Sequence, residues 1–189
     1  LQDCDLVILA LPLESLLSPQ ESLIKAIPER AVVTDVGSVK AEVLAVWRDL
    51  HPRFVGSHPM AGTAQAGVEA GLTGLFSGRP WVSTPESSTD PFALEVIHQL
   101  AMRLGSQWLT ADAARHDQAV ALISHLPVIV SAALLRAVGE ERDPAVLDLA
   151  RTLASSGFAD TSRVGGGNPA LGTAMASHNT QAVLRSLAA

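Results

Sequence analysis

The sequence has few cysteines and few charged residues. Among its 189 residues there is one cysteine, Cys4, and charged residues make up 17% of the chain. A single cysteine excludes a disulfide within the chain and a zinc site built from cysteines. The net charge is −6 and the basic residues are not clustered, so no nucleic-acid partner is expected. Because disulfides belong to oxidising compartments, the low cysteine content favours a cytoplasmic protein.

Long hydrophobic runs are also missing. No run reaches eighteen consecutive apolar residues, whereas a membrane-spanning helix needs about 20. The apolar run 6–13 is much shorter and has no basic segment ahead of it, which does not match a signal peptide. The sequence therefore predicts no membrane partner. Its 48% of hydrophobic residues is typical of a globular protein with a sizeable core.

A third missing feature is the phosphate-binding pattern Gly-x-Gly-x-x-Gly. The glycines at 165–167 follow no predicted strand, so they do not meet the structural context of such a loop. The chain begins at Leu1 rather than at methionine, and it ends at Ala189 within a helical pattern. We therefore expect an internal fragment of a longer protein, without the N-terminal phosphate loop and without the C-terminal end.

The first 111 residues alternate between predicted strands and helices. The apolar run 5–11, which ends at Pro12, is typical of a strand buried on both faces of a parallel sheet. Helical spacing over 14–27 and a second apolar run at 31–35 complete a β-α-β unit. Further strands are predicted at 53–57, 80–84 and 107–110, with a helix capped by Asp90. The fold class is thus α/β, with a partial Rossmann-like parallel sheet in residues 1–111.

After Asp112 the strand signals stop. Residues 112–138 have helical spacing, and Pro127 predicts a kink. Asp143-Pro144 and Asn168-Pro169 each match a helix start, with a capping side chain followed by proline. Residues 157–167 are predicted to be a loop. Residues 112–189 are therefore expected to form an all-helical second domain.

Several candidate site residues follow the predicted strands directly. In open parallel sheets, ligands bind beyond the carboxyl ends of the strands, where Pro12, Ser38 and His58 are expected. A histidine at such an edge can act as a general base, or it can simply hydrogen-bond a loop. Ser38 is predicted to be the N-cap of a helix over 39–50, and its hydroxyl could also orient His58.

Four short motifs stand in a characteristic order in this chain. In that order they resemble the prephenate/arogenate dehydrogenase family of tyrosine biosynthesis, and the resemblance runs through most of the chain. The motifs are Asp-Val-Gly-Ser-Val-Lys at 35–40, Gly-Ser-His-Pro-Met-Ala-Gly-Thr at 56–63, Ser-His-Leu-Pro at 124–127 and Asp-Thr-Ser-Arg at 160–163.

The resemblance implies a role for each candidate residue. His58 and Ser38 would be catalytic, with His58 accepting the proton of the substrate hydroxyl. Arg163 would bind a substrate carboxylate, as a guanidinium does in a bidentate pair, and His125 would lie near the substrate. The resemblance also implies NADP or NAD as the cofactor, with Leu11, Pro12 and Ser38 as its candidate contacts.

The family implies an NAD(P)-dependent oxidative decarboxylation of arogenate or prephenate. Many prephenate-preferring members have a second histidine after the proline of the Ser-His-Leu-Pro motif, and here that residue is Val128. This departure resembles the cyanobacterial type, which prefers arogenate and NADP. Asp117 is a candidate acceptor for the amine of arogenate. No metal site is predicted, because no two histidines have the i, i+4 spacing of a helical site.

Two alternatives remain at this stage. One is another two-domain dehydrogenase of the β-hydroxyacid type, but those enzymes rely on a lysine in the helical domain and residues 112–189 contain none. The other is a non-catalytic dimerisation or interaction fragment. Apolar residues such as Val120, Ile123, Val130 and Leu134 predict a homodimer through the helical domain. Without the phosphate loop, the isolated 189 residues are expected to be inactive.

Overall fold

In the computed structural model, residues 1, 3–62, 67, 69 and 71–188 are described. Thr63, the last residue of the second motif, lies outside these described residues. The chain forms two compact units, Leu1–Asp117 and Gln118–Ala189. The first unit combines short strands with helices, and the second is helical.

The first unit alternates strands and helices, as the sequence predicts. Its elements are β1 (Leu6–Leu9), α1 (Leu13–Leu17), α2 (Glu21–Ala26), β2 (Val32–Asp35), α3 (Ala41–Leu50), β3 (Phe54–Val55), β4 (Ser57–Pro59), β5 (Pro80–Ser83), α4 (Pro91–Arg103), β6 (Gln107–Thr110) and the start of α5 (Ala113–Val120).

The strands of the first unit form two three-stranded sheets in the described part of the chain. In the order β1-β2-β3 all neighbours are parallel, and Leu9 lies opposite Asp35. In the order β4-β5-β6, β5 is antiparallel to β4 and parallel to β6. The predicted strand 53–57 is therefore divided at Gly56, where a Cβ atom would lie 2.8 Å from Thr84 Oγ1. The predicted fold class, a partly parallel α/β sheet followed by helices, is confirmed.

Two local predictions for this unit are wrong. The strand at 5–11 is not buried on both faces: Val7 and Leu9 are buried, whereas Ile8 between them is 45% exposed. That face of β1 is thus uncovered in the described chain. The single helix predicted over 14–27 is two helices, α1 and α2. Pro19 separates them because proline disfavours the helical conformation of the residue before it and donates no backbone hydrogen bond.

The core of the first unit is built by α3 and α4 against the strands. Trp47 of α3 is fully buried, stacks on Phe54 at a centroid distance of 5.5 Å, and donates its indole N–H to Leu16 O over 2.8 Å. The start of α4 confirms the prediction: Asp90 accepts from the backbone N–H of Phe92 and Ala93, and Pro91 is the first helical residue. This packing holds the carboxyl ends of the strands in fixed positions.

The second unit consists of helices and helical turns in the described residues. After the end of α5 come a π-helical turn (Ala121–His125), α6 (Leu126–Gly139), α7 (Pro144–Leu153), α8 (Ser156–Ser162), a 3-10 turn (Arg163–Gly166), α9 (Pro169–His178) and α10 (Thr180–Leu187).

The proline signals in this unit have different outcomes. Asp143 and Asn168 cap α7 and α9 as predicted, each accepting a backbone N–H over 2.9 Å. At Pro127 the predicted kink takes the form of the π-helical turn just before it, because the proline ring displaces the carbonyl four residues earlier. The loop predicted over 157–167 is wrong, since α8 and the 3-10 turn occupy most of it.

One helical stretch has the length and composition to cross a membrane. It runs over Ala113–Gly139, 27 residues, and an apolar stretch of 18 residues within it is 22% buried in the described chain. Apolar helices that pack against other protein surfaces meet the same criterion. The expectation of no membrane partner, made from the sequence, stays a prediction.

Candidate active site

A buried ion pair ties the end of β2 to the start of β4. The Asp35 carboxylate accepts the backbone N–H of Gly37 over 2.8 Å and that of Ser57 over 3.1 Å, and it pairs with the Lys40 ammonium group. Lys40 also donates to Ser57 O over 2.9 Å. Both side chains are fully buried. Burial lowers the pKa of Lys40 below its ordinary value, and the charge of Asp35 opposes that shift.

His58 stands next to Ser57, inside β4 rather than beyond a strand end as predicted. Its backbone pairs with Val82 of β5, and its side chain is half-buried. Its Nδ1 atom lies 2.9 Å from Nε2 of His116, and the two rings meet edge to face with centroids 5.1 Å apart. His58 is therefore held by a short paired strand, which restricts its backbone more than a loop would.

His116 is buried and has an acidic partner on its other ring nitrogen. Its Nδ1 atom lies 2.8 Å from Oδ1 of Asp117. The same carboxylate accepts the backbone N–H groups of Lys40 and Ala41 over 2.8 and 2.9 Å. A carboxylate at a helix N-terminus is stabilised by the helix dipole and by the N–H groups that have no partner within the helix.

This contact corrects two predictions. Helix α3 begins at Ala41 and has no side-chain cap from its own chain segment, so Ser38 is not its N-cap. Asp117, distant in sequence, satisfies those N–H groups instead, while Ser38 lies in the bend before the helix. Asp117 is also buried and engaged with α3 and His116, which makes it a poor acceptor for a substrate amine.

The candidate cofactor contacts lie beyond the ends of β1 and β2. Leu11 is 38% exposed and Pro12 directly precedes α1, while Ser38 is half-buried in the turn after β2. Because Leu9 and Asp35 are opposite each other in the parallel pair, both segments emerge at the same sheet edge. Gly37 is required there, since a Cβ atom would lie 2.9 Å from Asp35 Oδ2. Their contact with a cofactor stays a prediction.

The other two predicted site residues belong to the second unit. His125 ends the π-helical turn, is 1% exposed, and has its Nδ1 atom 3.1 Å from Asn179 Nδ2. Arg163 begins the 3-10 turn and its side chain is exposed. The roles of both residues in substrate binding stay predictions.

The turn that begins with Arg163 is fixed against α6. Gly165 donates its backbone N–H to Ser131 Oγ over 2.8 Å, and a Cβ atom at Gly165 would lie 2.5 Å from Ala132 N. This close approach requires glycine. Gly165 therefore serves the packing of this turn against α6.

His116 was not predicted from the sequence as part of the site, whereas Lys40 belongs to the first motif, 35–40. His116 lies 58 residues after His58 and belongs to none of the four motifs. The signal that was present is the dipeptide His116-Asp117, in which an acidic residue follows a histidine near the start of a helix.

Both parts of the chain match models of known protein families. A model for the prephenate dehydrogenase nucleotide-binding domain matches residues 1–110, and one for the prephenate dehydrogenase dimerization domain matches residues 112–189. The chain belongs to the prephenate dehydrogenase family. This confirms the resemblance inferred from the four motifs.

Individual relatives in the prephenate dehydrogenase family extend beyond this chain. Prephenate dehydrogenase of Bacillus subtilis is 32% identical over 182 residues, which cover 94% of the chain and 48% of that protein. The chain thus spans about half the length of that relative.

Two solved structures of the prephenate dehydrogenase family resemble the whole chain. Synechocystis arogenate dehydrogenase is 46% identical with a TM-score of 0.83, over 99% of this chain and 67% of that one. Prephenate dehydrogenase from A. aeolicus, in complex with hydroxyphenyl propionate and NAD⁺, is 29% identical with a TM-score of 0.90. The match covers 97% of this chain and 64% of that one.

Proposed function

We propose that the full-length protein catalyses the NAD(P)-dependent oxidative decarboxylation of arogenate, or of prephenate, in tyrosine biosynthesis in the cytoplasm. Family membership supports the reaction class. The observation that carries the proposal is the position of His58 in β4, directly after Ser57, whose N–H is bonded to Asp35 at the carboxyl end of β2, with His58 Nδ1 2.9 Å from His116 Nε2. An imidazole at this position can accept a proton, and the proposed reaction requires the protein to manage one proton.

The residues at the sheet edge fit a nicotinamide cofactor. An exposed apolar side chain, Leu11, and a half-buried hydroxyl, Ser38, follow neighbouring parallel strands, where dinucleotides bind in such sheets. When bound, the cofactor supplies the hydride acceptor. NAD⁺ in the A. aeolicus structure supports this class of cofactor.

His58 carries the proton chemistry of the proposed reaction. It accepts a hydrogen bond from the substrate's ring hydroxyl. It takes the hydroxyl proton as the ring carbon that bears this hydroxyl is oxidised to a carbonyl. Ser38 holds the hydroxyl group in position, and Arg163 binds a carboxylate of the substrate through its guanidinium group. As carbon dioxide leaves, the electron pair of the broken C–C bond enters the ring and the carbonyl oxygen takes a proton back, which gives the aromatic phenol. The protein's task is therefore mainly orientation and the handling of this one proton.

We propose arogenate as the preferred substrate. Val128 stands where many prephenate-preferring relatives have histidine, and it lines an apolar cavity of about 390 Å³ within the second unit, with Ile129, Leu171 and Met175 among the lining residues. A polar contact to the substrate side chain is therefore missing at this position. The 46% identity to Synechocystis arogenate dehydrogenase supports the same choice.

We also propose that the protein is a homodimer assembled through its second unit. The matched family model is named a dimerization domain, and Ile123 and Val130 are 69% and 47% exposed. Apolar helix faces of this kind are usually covered in an assembly. Val120, expected on the same face, is instead buried within its own chain.

A steady-state assay of the full-length protein tests the reaction and its specificity together. Arogenate and prephenate are each supplied with NAD⁺ and with NADP⁺, and reduced cofactor is followed by absorbance. The proposal expects turnover, with the highest kcat/KM for arogenate and NADP⁺. Absence of turnover with all four combinations, in a folded preparation that also binds no dinucleotide, favours a non-catalytic dimerisation module instead.

A further inference from the structure

A continuous chain of polar groups leads from the N-terminus of α3 to His58. Asp117 accepts two backbone N–H groups of α3 and lies 2.8 Å from His116 Nδ1, and His116 Nε2 lies 2.9 Å from His58 Nδ1. His116 and Asp117 are 4% and 5% exposed. Each link has the length of an ordinary hydrogen bond, so the proton positions along the chain are coupled.

The direction of this chain follows from its acidic end. Both oxygens of the Asp117 carboxylate accept backbone N–H groups, so Asp117 acts as the acceptor toward His116 too. His116 Nδ1 therefore keeps its proton and donates a hydrogen bond to Asp117 Oδ1. A neutral imidazole then has its lone pair on Nε2, which accepts from Nδ1–H of His58. With one proton on each ring, the lone pair of His58 is therefore on Nε2, the nitrogen directed away from His116.

We propose that His116, anchored by Asp117, is a positioning residue that holds His58 in the tautomer able to act as a base through Nε2. This inference rests on the proposed role of His58 in the reaction. A histidine base with its proton on the wrong nitrogen cannot accept the substrate proton, whatever its position. In the proposed arrangement, orientation and tautomer are set by the same two hydrogen bonds.

The anchor of the chain is well suited to this role. Asp117 is held by two N–H groups at the positive end of α3, and Lys40, whose backbone supplies one of them, is locked to Asp35 at the end of β2. The carboxylate is therefore held by contacts that do not involve the imidazoles. When His58 takes the substrate proton on Nε2, its Nδ1–H bond to His116 persists, and the Asp117 charge one ring away stabilises the imidazolium.

A structural alternative is that the same bonds only attach the start of α5 to α3. Three variants of the full-length protein separate the two roles. His116→Leu removes the acceptor for His58. His116→Gln restores an acceptor, because its amide oxygen reaches roughly as far as Nε2. Asp117→Asn keeps one oxygen for α3 but offers an N–H group to His116, which reverses the hydrogen-bond direction along the chain.

For His116→Leu we expect kcat to fall about 10–100-fold, the effect of removing groups that orient functional histidines at metal sites, with little change in KM. His116→Gln should recover most of this loss. Asp117→Asn should lower kcat at least as much, since an Asp→Asn change that imposes the wrong tautomer costs about 10⁴-fold in serine proteases. A merely structural role would lower the melting temperature of His116→Gln and His116→Leu alike, without this difference in kcat.

The tautomer itself is measured by ¹⁵N NMR of histidine-labelled protein, with His58 assigned through His58→Asn. The proposal expects a protonated Nδ1 and an unprotonated Nε2 in the parent, and the reverse in Asp117→Asn. A proton on Nε2 of His58 in the parent overturns the proposal even where a variant does not fold. Unchanged kcat in His116→Leu also overturns it.

Kinetics of the two histidine variants separate the role of His58 as the base from the positioning role of His116. If His58→Asn retains full activity, the proposed function of His58 fails, whatever the NMR spectrum of His58 shows. If His58→Asn is inactive while His116→Leu is as active as the parent, His58 remains the base and the positioning role of His116 is rejected.

Discussion

The Nδ1 atom of His58 lies 2.9 Å from the Nε2 atom of His116, although the two residues are 58 positions apart in the chain. This contact joins the short strand β4 to the start of α5. It leaves Nε2 as the nitrogen of His58 that is directed away from His116, and it gives the proposed base a defined orientation.

The exposed guanidinium of Arg163 is expected to act in substrate binding. Arg163→Ala should raise KM about ten- to hundredfold, since a charged hydrogen bond contributes roughly 1.5–3 kcal/mol, and should leave the cofactor Kd unchanged. Arg151→Ala is the matched control, because Arg151 is an exposed arginine of the same unit whose ion-pair partner is an exposed aspartate, Asp148. A change in cofactor Kd with an unchanged substrate KM would assign Arg163 to the cofactor site.

Residue 128 is expected to influence the choice between substrates. Arogenate and prephenate differ in the side chain, an α-amino acid in one and an α-keto acid in the other. Val128→His should raise kcat/KM for prephenate relative to kcat/KM for arogenate. The added imidazole can hydrogen-bond the keto acid side chain of prephenate and stays unpaired when arogenate is bound. Val128→Leu, which adds volume without polarity, serves as the control. An unchanged ratio in Val128→His would show that this position does not set specificity.

The apolar surface of the second unit is expected to be buried between two copies. Ile123→Glu should convert a dimer to a monomer in light scattering at micromolar concentration, because it places a charge in an apolar interface. Met102→Glu, on the 52% exposed Met102 of α4, should leave the assembly unchanged. A parent protein that is monomeric at this concentration would contradict the prediction.

The buried pair of Asp35 and Lys40 is expected to be destabilising when only one of its two charges is present. Lys40→Met alone leaves a buried carboxylate without its cation and should lower the free energy of unfolding by about 3–5 kcal/mol. The double variant Asp35→Asn/Lys40→Met removes both charges and should be less destabilised than the sum of the two single variants. Urea denaturation measures all four proteins, and strict additivity would contradict the expected coupling.

Local sequence signals predicted some elements well. Asp90-Pro91, Asp143-Pro144 and Asn168-Pro169 each begin a helix as expected, because the cap and the proline act within a few residues. These features depend on neighbours in the chain, which a single sequence displays directly.

Contacts between distant residues were not predictable in the same way. From the sequence, Ser38 is the predicted N-cap of α3. In the structure, Asp117 caps this helix, although it is 76 positions away from Ala41. Its buried carboxylate accepts two backbone N–H groups of the helix start, those of Lys40 and Ala41. Residues 157–167 looked like a loop, yet Gly165 packs against Ser131. Spacing along the chain carries no information on such pairs, and so His116 was missed.

The most direct test of the account is the kinetic comparison of His58→Asn with the full-length parent. His98→Asn is the matched control, since His98 is a partly exposed histidine on α4 bonded to Glu95. Because general base catalysis contributes about 10²–10⁴-fold, we predict that kcat of His58→Asn falls by that factor with a much smaller change in KM, while the control matches the parent. Activity of His58→Asn within about threefold of the parent, far short of that range, would contradict the account.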